Sequence, residues 1–133
     1  MAFVADNSVI VAWFVPSQAN ALTREAWLLA RKEQVHVPAM WQPEFAAVLH
    51  ALEKRGLLAP HQVDSAISKV ERLGLEVHGA FPALAPLIDL ARRHGIKAYD
   101  ACYLHLAVSM GAKFYTRDAK LRQAARAAGI AAR

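Results

Sequence analysis

A chain of 133 residues that is 56% hydrophobic and 20% charged has enough apolar side chain to bury a core as a single domain spanning 1–133, and it excludes a disordered polyelectrolyte. Its net charge of +5 is uneven: 7 basic and 9 acidic residues through Ala91, then 9 basic and 2 acidic residues from Arg92 onward. A lone cysteine, Cys102, excludes an intrachain disulfide and a CxxC metal knuckle, and fits a reducing compartment.

Phe3-Val4-Ala5 is a short apolar run that ends in Asp6-Asn7-Ser8, the pattern of a strand turning into a capped helix. No basic residue precedes that run and Asp6 interrupts it, so it lacks the design of a signal peptide. The longest clean apolar stretch, Val9 to Val15, falls far short of the roughly 20 residues that span a bilayer. A cytoplasmic protein without membrane contact is therefore expected. A helix is predicted from about Ala19 to Lys32, then a strand at Val35-His36-Val37 stopped by Pro38. Gln42-Pro43-Glu44 opens a helix carrying Phe45, Val48, Leu49 and Leu52 on one face, with Gly56 ending it. Val63, Ala66, Ile67 and Val70 repeat that spacing before Gly74, and Leu75-Glu76-Val77 is a third strand candidate.

Leu84, Leu87, Ile88 and Ala91 define the next helix, closed by Gly95. Tyr99, Cys102, Tyr103, Leu106, Ala107 and Met110 define another, closed by Gly111. Phe114-Tyr115 is a fourth strand, Leu121, Ala124, Ala125 and Ala128 mark a last helix ended by Gly129, and Ile130 starts a possible edge strand. Short strands alternating with helices predict an α/β fold: a parallel sheet covered by helices on both faces. In such sheets ligands bind beyond the carboxyl ends of the strands, where strand order reverses. Asp6 follows the first strand and Asp118 the fourth. If those strands are neighbours, the two carboxylates meet at that crevice.

Asp6, Glu44, Asp100 and Asp118 each fall at a helix start, where a carboxylate serves as a cap or favours the macrodipole by about 0.3–1 kcal/mol. Two features count against caps alone. Ser8 and Thr116 already offer capping hydroxyls beside Asp6 and Asp118, and the acids have apolar neighbours in Val4-Ala5, Phe45-Ala46 and Ala101-Cys102. Carboxylates at the edge of a core are costly unless paired, and Arg117 and Lys97 are too few for four acids. A divalent cation that prefers oxygen ligands, Mg²⁺ or Mn²⁺, answers the imbalance. The six histidines show no helical pairing, and Cys102 with His105 is only half a zinc site. Trp13, Trp27 and Trp41 read as core or interface residues.

Four segments carry a family resemblance. Val4-Ala5-Asp6-Asn7-Ser8 resembles the opening strand-Asp-x-Ser of PIN domains, and Pro43-Glu44-Phe45-Ala46-Ala47-Val48-Leu49 their helical glutamate motif. Tyr99-Asp100-Ala101-Cys102-Tyr103-Leu104 is similar to their Tyr-Asp-Ala-x-Tyr-Leu helix, and Tyr115-Thr116-Arg117-Asp118-Ala119-Lys120-Leu121 to their Thr-x-Asp-x-x-Leu segment. Each motif alone is weak; the ordered set, running from the first strand to the last helix, is specific. Asn7 departs from the pattern, a small residue such as Ala being commoner there. The short length resembles VapC-type toxins of toxin–antitoxin pairs.

The resemblance implies a three-layer α/β/α PIN-like fold with a short-stranded central parallel sheet. It implies Mg²⁺- or Mn²⁺-dependent cleavage of RNA phosphodiesters, commonly in structured or transfer RNA. It also implies a homodimer held inactive by a cognate antitoxin covering the acidic pocket. Asp6, Asp100 and Asp118 would hold the metal, and Glu44 would bind a second ion or position a water. Ser8 and Thr116 would orient the Asp6 and Asp118 carboxylates, and the basic residues after Arg92 would track the RNA backbone. The alternative is a non-catalytic PIN-like module that binds RNA or protein, whose mark would be a missing acid. A receiver-like phosphoacceptor would want paired acids at the first strand end and a lysine on a late strand, and neither is present.

Overall fold

Each of the four expected strands forms, within a residue or two of its predicted bounds. The computed structural model describes residues 1–132. Strands β1 (Ala2–Ala5), β2 (Gln34–Pro38), β3 (Glu76–His78) and β4 (Lys113–Tyr115) make one parallel sheet in the order β3-β2-β1-β4. The register pairs Phe3 with Val35 on one side and with Lys113 on the other. Val4, Ala5, Val37 and Phe114 are at most 1% exposed, because a parallel sheet is covered on both faces and its central strands read as continuous apolar runs. The expected terminal strand is reduced to a bridge between Phe114 and Ala131, held by the Phe114 N–H to the Ile130 carbonyl at 2.8 Å.

Helices α1 (Asn7–Ala12), α2 (Ala21–Ala30), α3 (Trp41–Lys54) and α4 (Pro60–Leu73) fill the connections from β1 to β3. Helices α5 (Leu84–His94), α6 (Ala98–Met110) and α7 (Ala119–Ala127) complete the chain. α1 packs against α2 and α3, and α3 against α4. α6 lies across β1, β2 and β4 with α5 and α7 packed on it. These sets are the two outer layers of a three-layer α/β/α fold, as right-handed parallel crossovers require. Gly95 and Gly111 close α5 and α6 at φ +61°, the left-handed region that a side chain would strain.

Two helices differ from their sequence patterns. α6 carries an apolar stripe in the sequence, but it is sandwiched between sheet and helices, so Leu104 off that stripe is fully buried while Tyr99 on it is exposed. The stripe of α5 is only half covered: Leu84 and Ile88 are exposed, Leu87 and Ala91 are half-buried, and Leu90 packs toward the core. Periodicity finds an apolar face but does not say what meets it. The tryptophans lie where packing predicts, Trp13 against Trp27 at 5.7 Å and Trp41 stacked on Phe45 at 5.3 Å. Among the described residues no helix is long and apolar enough to cross a membrane.

Candidate active site

In a parallel sheet all strands end on one edge, so the helices that follow them start there. The order β3-β2-β1-β4 means the chain steps outward from β1 to β3 and then returns to the other side of β1. The switch point lies between β1 and β4. Asp6 leaves β1 with its N–H on the Tyr115 carbonyl at 3.1 Å, and Asp118 leaves β4 as the N-cap of α7. Glu44 lies in the first turn of α3 and Asp100 in the first turn of α6. All four acids line one cleft of about 300 Å³ with Asn7, Ser8, Lys97, Tyr99 and Tyr103. A larger groove between α3 and α4, about 390 Å³, is walled mostly by apolar side chains such as Phe45, Leu49 and Val70.

Asp6 is the most enclosed of the four, at 6% exposure. Its Oδ1 accepts the Ser8 hydroxyl at 2.6 Å and the Val9 N–H at 3.2 Å, and its Oδ2 accepts the Thr116 hydroxyl at 2.5 Å. Burial outweighs these bonds and lifts the carboxyl to about 6, with the Asp100 charge adding to the rise. Glu44 is raised by burial and by Asp100, opposed by the Tyr103 hydroxyl that donates to its Oε1 at 2.8 Å. Asp100 is raised by burial and by Asp118, with Lys97 pulling it down. Like charges in a partly dry cleft destabilise one another, and no ion pair among the described residues relieves any of the four.

Hydroxyls and caps are arranged differently from the expectation. Asp6 and Asp118 do cap their helices, Asp118 through the Leu121 N–H at 2.9 Å. The Ser8 hydroxyl donates to Asp6 Oδ1. Thr116, however, donates to Asp6 rather than to the Asp118 carboxylate, and it holds Asp118 only by accepting its backbone N–H at 3.1 Å. The reason is topological: β4 runs beside β1, so the Thr116 hydroxyl reaches across to the neighbouring strand end. Tyr103 is the residue that sequence reasoning passed over. The sequence places it on the apolar stripe of α6 and in the Tyr-Asp-Ala-x-Tyr-Leu segment with no role, and only the tertiary structure shows its hydroxyl on Glu44. Asn7 also lines the cleft, and its side-chain oxygen is buried with no hydrogen-bond partner.

Hard-cation chemistry matches this donor set. The cleft offers carboxylate, hydroxyl and amide oxygens and neither thiol nor imidazole. Four carboxylates without an ion-pair partner, Asp6 buried, Glu44 and Asp100 half-buried and Asp118 exposed, are the deficit a divalent cation offsets. The side chains do not, however, form a ready-made cage: among the described residues no three His, Cys, Asp or Glu groups converge closely enough to hold an ion. Their oxygens are turned to Ser8, Thr116, Leu121 and Tyr103 instead. A small cation that keeps several waters and takes only one or two carboxylates directly suits such a spread set.

Histidines pair where sequence spacing showed nothing: His36 Nδ1 and His78 Nε2 lie 2.8 Å apart across β2 and β3. Cys102 and His105 share a cavity of about 430 Å³ with His78, whose lining includes none of the four acids. Burial pushes the Cys102 thiol up, so it stays protonated.

Comparison with known proteins gives concordant results. Residues 3–127 match the family model of the PIN domain. The curated protein "Ribonuclease VapC3" of Pyrobaculum aerophilum is 29% identical over 125 residues, covering 92% of this chain and 94% of that protein. "Ribonuclease VapC3" of Mycobacterium tuberculosis is 29% identical over 90 residues, covering 68% of this chain and 64% of that protein. The crystal structure of PAE2754 from Pyrobaculum aerophilum superposes with a TM-score of 0.71 over 93% of this chain and 79% of that one. At 20% identity that likeness speaks for the fold alone.

Proposed function

The chain belongs to the PIN-domain family, and from that premise we propose that it is a divalent-metal-dependent endoribonuclease, the toxin of a VapBC-type toxin–antitoxin pair. The observation that carries the reading is the meeting of Asp6, Glu44, Asp100 and Asp118 in one cleft with no ion pair among them. Relatives named as ribonucleases support the choice of RNA.

Asp6, Asp100 and Asp118 would hold Mg²⁺ or Mn²⁺, with Glu44 joining them or steering a water. When bound, the cation supplies Lewis-acid polarisation of a scissile phosphate and acidifies water for in-line attack. The protein's own part is orientation. Ser8 and Thr116 fix both oxygens of Asp6, so its rotamer does not have to be chosen on binding. Tyr103 aims Glu44 and stays a donor, because burial and the adjacent Glu44 push its phenol far above the ordinary range. Four helix N-termini face the cleft, and the partial positive charge of each lowers the cost of assembling the acids.

The same reading brings a cognate antitoxin that blocks the cleft and a homodimer. The exposed part of the α5 stripe, Leu84 and Ile88 with nearby Phe81, is apolar surface that a second copy would cover. Incubating antitoxin-free protein with transfer RNA and with an unstructured oligomer, in Mg²⁺ and in EDTA, tests the activity. Cleavage confined to the Mg²⁺ arm is expected. Cleavage undiminished by EDTA overturns the metal mechanism, and intact RNA in both arms favours a binding module.

A further inference from the structure

Tyr99 and Tyr103 stand four residues apart on α6, so both rings project from the helix face that meets the cleft. Their surroundings are opposite. Tyr103 is 1% exposed, its ring stacked on Phe114 at 6.5 Å and its hydroxyl spent on Glu44. Tyr99 is 65% exposed. Among the described residues its ring touches no other aromatic and its hydroxyl makes no hydrogen bond. Position distinguishes it from an ordinary surface tyrosine. It precedes Asp100, and Lys97, two residues before it, is the one cation lining the acidic cleft.

We infer that Tyr99 is a stacking platform for the base of a nucleotide next to the scissile phosphate, with Lys97 taking that nucleotide's phosphate. The inference rests on the ribonuclease reading above and adds a specificity-determining residue to it. A strand held by phosphates alone would be repelled by four carboxylates a few ångströms away. A π-face attaches the base through contacts that the acidic charge does not oppose, and it does so for any base. Stacking of this kind requires an unpaired base, so the platform selects single-stranded or looped RNA over a duplex interior. Because Tyr99 is largely exposed and lies outside the hydrophobic core, its removal leaves the fold alone.

The test uses a short RNA that the parent cuts and the same RNA with the nucleotides flanking the cut made abasic in turn. Tyr99→Phe should cut both as the parent does. Tyr99→Leu should raise KM on the intact RNA on the order of tenfold, with kcat and melting temperature little changed. On one of the abasic RNAs, parent and Tyr99→Leu should perform alike, since neither can stack. 2-Aminopurine at that position should be quenched by the parent and not by Tyr99→Leu. Equal kcat/KM for parent and Tyr99→Leu on the intact RNA overturns the inference, as does an equal loss on every abasic RNA. A Tyr99→Leu variant that cuts RNA normally but loses affinity for an inhibitory protein would assign the ring to a protein contact instead. A parent that cuts no RNA overturns the ribonuclease reading itself; a parent that cuts, with Tyr99→Leu unaffected, overturns the stacking role alone.

Discussion

Asp6→Asn isolates the cost of holding a carboxylate in the cleft. Without divalent cations the Asp6 carboxyl titrates at about 6 in the folded chain, against 3.8 for an ordinary aspartate. A raised folded-state pKa means the folded form binds the proton more tightly. The stability from that proton is full below pH 3.8 and is lost as pH rises to about 6, after which the loss is constant. A shift of roughly two units corresponds to about 3 kcal/mol. The Asn variant carries no such charge. It keeps an acceptor for the Val9 N–H but must reverse or forgo one hydroxyl bond, a pH-independent cost of about 1 kcal/mol. Glu44 and Asp100, also raised by burial, titrate in both proteins, and the Asp6–Asp100 repulsion, the smallest of the causes acting on Asp6, is relieved in the variant. Urea unfolding in EDTA, followed by circular dichroism at about pH 4 and about pH 7, should show the variant slightly less stable at the acid end. At the neutral end it should be more stable by about 2 kcal/mol. Added Mg²⁺ at a hundredfold excess over its Kd should stabilise the parent by about 2.7 kcal/mol and the variant far less. A difference between the proteins that does not change with pH would refute the buried-charge account. A variant clearly less stable at neutral pH would make Asp6 a helix cap first and a ligand second.

Two further predictions concern neighbouring residues. Asp100→Asn should abolish RNA cleavage while leaving the unfolding free energy within about 1 kcal/mol of the parent, whereas Cys102→Ala should stay active because its thiol is packing; a folded but dead Cys102→Ala would place that side chain in the chemistry. Asn7→Ala should raise stability by about 1 kcal/mol, since it removes a buried oxygen that has no partner, measured as a higher urea midpoint at constant slope. A lower midpoint would mean the amide is bonded in solution.

What the sequence determined was everything carried by neighbours along the chain. Apolar periodicity placed all four strands and the helices between them, and glycines such as Gly95 and Gly111 marked helix ends where φ is positive. The four acids were legible for the same reason: each sits in a local signature of strand end or helix start. Only the tertiary structure decided what lies next to what. The sheet order brings β4 beside β1, so Thr116 donates to the Asp6 carboxylate across 110 residues rather than to the Asp118 carboxylate two residues away. The starts of α3 and α6 face one cleft, and this makes Tyr103 the partner of Glu44 across 59 residues. His36 and His78, 42 residues apart, meet for the same reason. An apolar stripe looks alike whether it meets the core, as in α3, or is only half covered, as in α5, because hydrophobic attraction has no direction of its own. Local patterns fix backbone conformation; which surfaces and polar groups meet is settled when layers pack and most buried donors and acceptors find partners.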